Sequence, residues 1–81
     1  MRVVDIPVDQ IYVPSSRRKT LDMEKMEALA EDVLENGLTN PIYVRQGKGR
    51  YVLQEGLHRL EAVRFLDETH IEAHIVQAKK R

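Results

Sequence analysis

None of the 81 residues is a cysteine, so neither a disulfide framework nor a thiolate metal site can brace the chain. A domain of about this size buries only about 60% of the surface its unfolded chain exposes. Marginal stability is therefore expected. The same absence excludes a thiol nucleophile, so any catalysis would have to use oxygen or nitrogen groups. No internal repeat, low-complexity tract or linker divides the chain, and residues 1–81 read as one domain.

The spacing of apolar residues indicates which segments share that core. From Leu21 to Asn36, Met26, Leu29, Ala30, Val33 and Leu34 recur at helical spacing, with Asp22 placed as an N-cap and Gly37 as a terminator. Val- and Ile-rich stretches at 2–6 and 11–13, punctuated by Pro7 and Pro14, predict short extended segments joined by turns. Pro41 opens Ile42-Tyr43-Val44-Arg45, Gln46-Gly47-Lys48-Gly49 makes a turn, and Arg50-Tyr51-Val52-Leu53-Gln54 returns as the second arm of a β-hairpin. Leu60, Val63 and Leu66 predict a helix from Leu57 to Leu66. His70 to Val76 then reads as a last strand with Ile71, Ala73 and Ile75 on one face.

The formal net charge is zero, which argues against coating nucleic acid by bulk electrostatics. The charge is nonetheless clustered. Arg17, Arg18 and Lys19 form one basic group, Arg45, Lys48 and Arg50 a second, and Lys79, Lys80 and Arg81 a third that reads as a solubilising tail. The long helix carries Glu24, Glu27, Glu31 and Glu35 opposite its apolar stripe, with Lys25 as the cation beside them. The last three glutamates repel at four-residue spacing by about 0.2–0.5 kcal/mol per pair. That face is either solvated or a dock for a basic partner or for the chain's own arginines. No apolar run approaches the roughly 20 residues of a membrane span, and the N-terminus lacks a signal-peptide core, so a cytoplasmic location is expected.

The segment Gln54-Glu55-Gly56-Leu57-His58-Arg59 joins the hairpin to the second helix. The first amides of a helix have no internal partner and its dipole makes that end positive, so an anion is stabilised there. Gly56 allows close backbone approach, Arg59 offers a planar fork that matches two phosphate oxygens, and His58 adds a second donor. Basic residues in a first turn oppose the dipole, which invites a functional explanation. The plain alternative is a surface arginine paired with Glu55 or Glu61.

Three other features carry two readings each. The loop Ser15 to Lys19 is a solvated turn, or Arg17 and Arg18 swing over a polyphosphate. His70, Glu72 and His74 share a strand face, but same-face neighbours stand roughly 6.6–6.8 Å apart along a strand. Three such groups rarely converge on a metal, and no metal ligand is assigned. Tyr12, Tyr43 and Tyr51, interleaved with Arg45 and Arg50, either pack in the core or stack bases.

The run of Val13-Pro14, Arg17-Arg18, Leu21-Asp22, Gly37-Leu38-Thr39-Asn40-Pro41-Ile42-Tyr43-Val44-Arg45, Tyr51-Val52-Leu53, Gly56-Leu57-His58-Arg59-Leu60-Glu61-Ala62 and Ile71-Glu72-Ala73 resembles the N-terminal domain of ParB-like proteins, in the ParB/sulfiredoxin superfamily. Its most specific parts are Gly-x-x-x-Pro-Ile-x-Val-Arg and Gly-x-His-Arg-x-x-Ala. The resemblance covers nearly the whole chain. It implies a compact α+β domain, a small mixed sheet with a β-hairpin and two main helices. It also implies phosphate contacts from Gly56, the Leu57 backbone, His58 and Arg59, and nucleoside contacts around Thr39, Asn40 and Pro41.

Relatives in that superfamily use the nucleotide differently, as a switch for clamping DNA, to phosphorylate a sulfinic acid, or to phosphorylate free serine. Sulfiredoxins carry a cysteine where this chain has Leu57, so sulfinic-acid repair is expected to be absent. Partition proteins show Glu-Arg-Arg after the glycine and continue into a helix-turn-helix reader, which residues 1–81 do not contain. Serine-kinase relatives need a carboxylate base, for which Glu55 is the nearest candidate, as base or as a water-mediated magnesium ligand. The favoured expectation is a module that binds Mg2+ with ATP or CTP. A small kinase or nucleotide hydrolase is one alternative, and a DNA-associated domain, partition-type or nuclease, is another. Beside the nucleotide, DNA or a DNA-bound protein is the candidate partner.

Overall fold

The computed structural model describes residues 3–38 and 40–76; the expectations for Thr39 and for the tail Lys79-Lys80-Arg81 lie outside them. Strand β1 (Val3–Pro7) leads through a single 3-10 turn at Val8–Gln10 into the short β2 (Ile11–Tyr12). A helical turn, α1 (Ser15–Arg18), precedes the long helix α2 (Met23–Asn36). The hairpin β3 (Ile42–Gln46) and β4 (Tyr51–Glu55) follows, then α3 (Leu57–Phe65) and β5 (His70–Val76). This is the expected α+β architecture.

Local chemistry explains the boundaries. The Asp22 carboxylate accepts from the amides of Glu24 (3.0 Å) and Lys25 (3.2 Å), so α2 begins where its N-cap satisfies the first donors. Gly37, at φ 79°, ends the helix with its amide on the Val33 carbonyl at 2.7 Å. The hairpin closes with the Gly47 amide on the Arg50 carbonyl at 2.8 Å. One expectation is corrected. Ser15 to Arg18 is a helical turn and not a loop, because the free carbonyl of Pro14 accepts from the amides of both Arg17 (2.9 Å) and Arg18 (3.1 Å).

The five strands order as β1-β5-β3-β4-β2. β1–β5 and β3–β4 pair antiparallel, whereas β3–β5 and β2–β4 pair parallel. The last strand is therefore interior to the sheet. Its alternate residues Ile71 and Ala73 are buried while His70 and Glu72 are exposed.

Helix α3 lies between the sheet and α2. Leu57, Leu60 and Val63 join Ile6, Val8, Ile11, Val13, Ile42, Val44, Leu53, Ile71 and Ala73 in the main core. Ala62, on the other side, meets Met26 and Ala30 of α2 in a second cluster. Burial on two sides explains why Leu57, Leu60, Ala62 and Val63 are all buried along so short a helix. The arrangement holds the entrance of α3 at the end of β4, beside the start of α2.

Candidate functional site

The entrance of α3 is built by the last residue of β4 and one glycine. Gly56 has φ 108°, a left-handed conformation, and a Cβ at this position would sit 2.7 Å from Ile42 Cγ2. Only glycine lets β4 turn into α3 while Ile42 of β3 covers the turn. The ladder of α3 starts with the Leu60 amide on the Gly56 carbonyl at 2.9 Å, and the amides of Leu57, His58 and Arg59 lie ahead of it. Among the described residues no side chain caps this end. The contrast with α2, whose first donors are satisfied by its own aspartate, is a difference in available N–H groups.

The two helix entrances are tied together. The Asp22 amide donates to Nε2 of His58 at 3.0 Å, across 36 positions of sequence. A backbone amide can only donate, so Nε2 is the unprotonated nitrogen and the neutral ring carries its hydrogen on Nδ1. His58 is thus a strut between α2 and α3 as well as a group at the entrance. The Leu57 side chain is buried in the core, so only its backbone is at the surface of the entrance to serve the expected contact. Arg59 is half-buried and forms no ion pair with a carboxylate among the described residues. The pairing with Glu55 or Glu61 considered from sequence is absent there; Glu61 stands instead 3.9 Å from Nε of Arg64.

Arg18 joins this region from α1. It lines a cleft of about 300 Å³ with Leu21, Leu57, Glu61 and Arg64, so the first turn of α3 and the preceding basic turn share one wall. Arg17 is exposed and does not line that cleft. Asn40 is exposed and Pro41 half-buried where the chain enters β3, and the next residue is the Ile42 that covers Gly56. Glu55 is exposed at the end of β4, opposite Tyr43 and beyond an irregularity in the β3–β4 pairing.

The remaining candidates resolve differently. No group of three metal-ligating residues comes together among the described residues. His70 Nδ1 meets Thr69 Oγ1 at 3.0 Å, and the His74 ring lies 4.9 Å from the ring of Tyr43. Tyr12 is covered by the Arg50 guanidinium, 3.9 Å above its ring. Arg64 was not singled out from sequence, yet its Nη2 donates to the carbonyls of Val8 (3.2 Å) and Ile11 (3.3 Å), pinning the 3-10 turn to α3. The signal for Arg64 was its place seven residues after Leu57, on the same face of the helix.

The sequence profile of the ParB N-terminal domain family matches residues 1–81. A probable chromosome-partitioning protein ParB from Helicobacter pylori is 32% identical over 80 residues, which is 98% of this chain and 28% of that protein. Sulfiredoxin from Arabidopsis thaliana has a similar structure, with a TM-score of 0.85 at 29% identity, covering 96% of this chain and 88% of that one. The C-terminally truncated ParB from Caulobacter crescentus, complexed with CTP-γ-S, superposes with a TM-score of 0.83 at 21% identity, over 99% of this chain and 47% of that one. The chain thus spans little more than a quarter of the Helicobacter relative.

Proposed function

Since the chain belongs to the ParB N-terminal domain family, we propose that it is a nucleotide-binding module that seats phosphate oxygens on the entrance of α3. The observation that carries this reading is the pairing of a capped α2 with an uncapped α3 whose first turn holds His58 and Arg59. Free amides, the positive end of the helix dipole and a guanidinium fork all favour the same kind of ligand. Arg18, on the wall shared with Leu57, adds charge. Asn40 and Pro41, with Thr39 before them, stand for the nucleoside side of the site. Magnesium would accompany ATP or CTP as counter-ion to the phosphates. The relative complexed with CTP-γ-S supports a nucleotide as the ligand class. A cytoplasmic setting and a DNA-linked role are part of the same proposal, supported by partition-protein relatives.

Titration with ATP, CTP and their relatives in the presence of magnesium tests it. Saturable binding is expected, with Arg59→Ala weakening it about tenfold or more, the scale of a lost charge-assisted hydrogen bond. No binding of any nucleotide at millimolar concentration would refute the reading. Phosphoryl transfer is a second reading, favoured by the exposed Glu55 immediately ahead of the cradle. It requires product formation that Glu55→Gln abolishes with nucleotide binding retained.

A further inference from the structure

A second cleft, of about 270 Å³, lies between the strip Asp9–Val13 and the side chains of Arg18, Arg50 and Arg64. Three arginines line it against one acidic residue, the exposed Asp9. Two of the three are held in place chiefly by uncharged partners. Arg64 is anchored by the carbonyls of Val8 and Ile11, and its nearest carboxylate, Glu61, is 3.9 Å away. Its Nε is buried with no hydrogen-bond partner. Arg50 is stacked 3.9 Å above the Tyr12 ring, an attraction that fixes the cation without neutralising it. Arg18 sits in the last turn of α1 and borders this cleft as well as the one beside Leu57.

Like charges gathered in one concavity repel, and repulsion between fixed guanidiniums is relieved when an anion enters. Arginine held by carbonyls and by an aromatic face is preorganised for planar, two-point contact with an oxyanion, because little rotamer freedom is left to lose. The geometry points to a second oxyanion site at the β2 edge, formed by Arg18, Arg50 and Arg64 on the Tyr12 platform, that takes a phosphate-type dianion. This site stands without the nucleotide reading, since Gly56, His58 and Arg59 do not line it. Its occupant is a small phosphate, free or as the distal end of a bound nucleotide reaching past the shared Arg18.

Pyrophosphate titrated into the 15N-labelled chain, against sodium chloride at matched ionic strength, tests the site. The expected result is saturable movement of the Arg50 and Arg64 Nε–H resonances and of the Tyr12 amide. Arg50→Ala, and independently Tyr12→Leu, should weaken it about tenfold, whereas Arg59→Ala should leave it unchanged. A parallel ATP titration separates the sources. Movement at both the α3 entrance and this cleft with one affinity identifies distal nucleotide phosphates; ATP movement confined to the entrance, with pyrophosphate still bound here, identifies a separate small phosphate. Linear shifts that chloride reproduces would overturn the site. So would saturable shifts limited to Leu57–Arg59 and abolished by Arg59→Ala, or a response to duplex DNA with none to pyrophosphate.

Discussion

Replacing Gly56 with alanine would place a methyl 2.7 Å from Ile42 Cγ2 at a φ of 108°. The left-handed backbone disfavours any Cβ by about 1–2 kcal/mol, and forcing atoms into a filled site adds about 1–3 kcal/mol. Gly56→Ala should therefore lower unfolding stability by about 2–5 kcal/mol in urea titration, whether or not a ligand is present. The glycine of the motif is explained by packing before any phosphate is invoked. Asp22 and His58 divide another contribution between them. Asp22→Ala removes the cap of α2 and should destabilise by about 1 kcal/mol. His58→Ala removes only the acceptor for an exposed amide and should lose about 0.5–1.5 kcal/mol, measured by the same titration. Arg59→Ala, with no ion pair to break among the described residues, is expected to change stability by less than about 0.5 kcal/mol. A large stability loss there would mean that the residue serves the fold and not a ligand.

Among elements, the two main helices show how differently one apolar pattern can be used. In α2 only Met26 and Ala30 are buried, and Leu34 is 72% exposed although it belongs to the predicted stripe. The stripe is wider than the contact because α2 packs on α3 through small residues, Ala30 against Ala62. Ala62→Leu should push the helices apart and lose about 1–3 kcal/mol, whereas Leu34→Ser should stay within about 0.5 kcal/mol. Thermal unfolding of the two variants would separate these outcomes. The four glutamates of α2 are exposed, and none is ion-paired among the described residues. The chain's own arginines are used elsewhere, on backbone carbonyls and on an aromatic ring.

For the whole molecule, one core joins the sheet to α3 and its centre is Ile42, Val44, Leu53 and Leu60, all essentially inaccessible. Leu60→Ala should cost about 2–5 kcal/mol, a large share of a total domain stability of order 5–15 kcal/mol. Such a domain also makes a sensitive reporter. A ligand at a hundred times its dissociation constant adds about 2.7 kcal/mol, and about 4–8 °C per kcal/mol makes that a shift of roughly 10–20 °C. A nucleotide panel read by melting temperature should therefore show the preferred base directly.

Residues 3–76 were largely legible as a string of elements. The alternation of Ile71 and Ala73, the Asp22 cap, the Gly37 stop and the hairpin turn are each set by contacts within a few positions, and the structure places them where the pattern did. The Ser15–Arg18 turn escaped because its cause, one proline carbonyl accepting twice, leaves no apolar period to detect. The Gly56-to-Arg59 junction was visible as a motif, but its tie to Asp22 through an imidazole was not. Sequence by itself determined the longer helices and the strands and which charged groups exist, since local hydrogen bonding and side-chain periodicity act over one or two turns. Tertiary structure alone decided that β5 lies between β1 and β3, that α3 is enclosed on two sides, and that Arg18, Arg50 and Arg64 meet in one cleft. Those facts depend on which apolar faces find each other across the chain, and no spacing of residues encodes that choice.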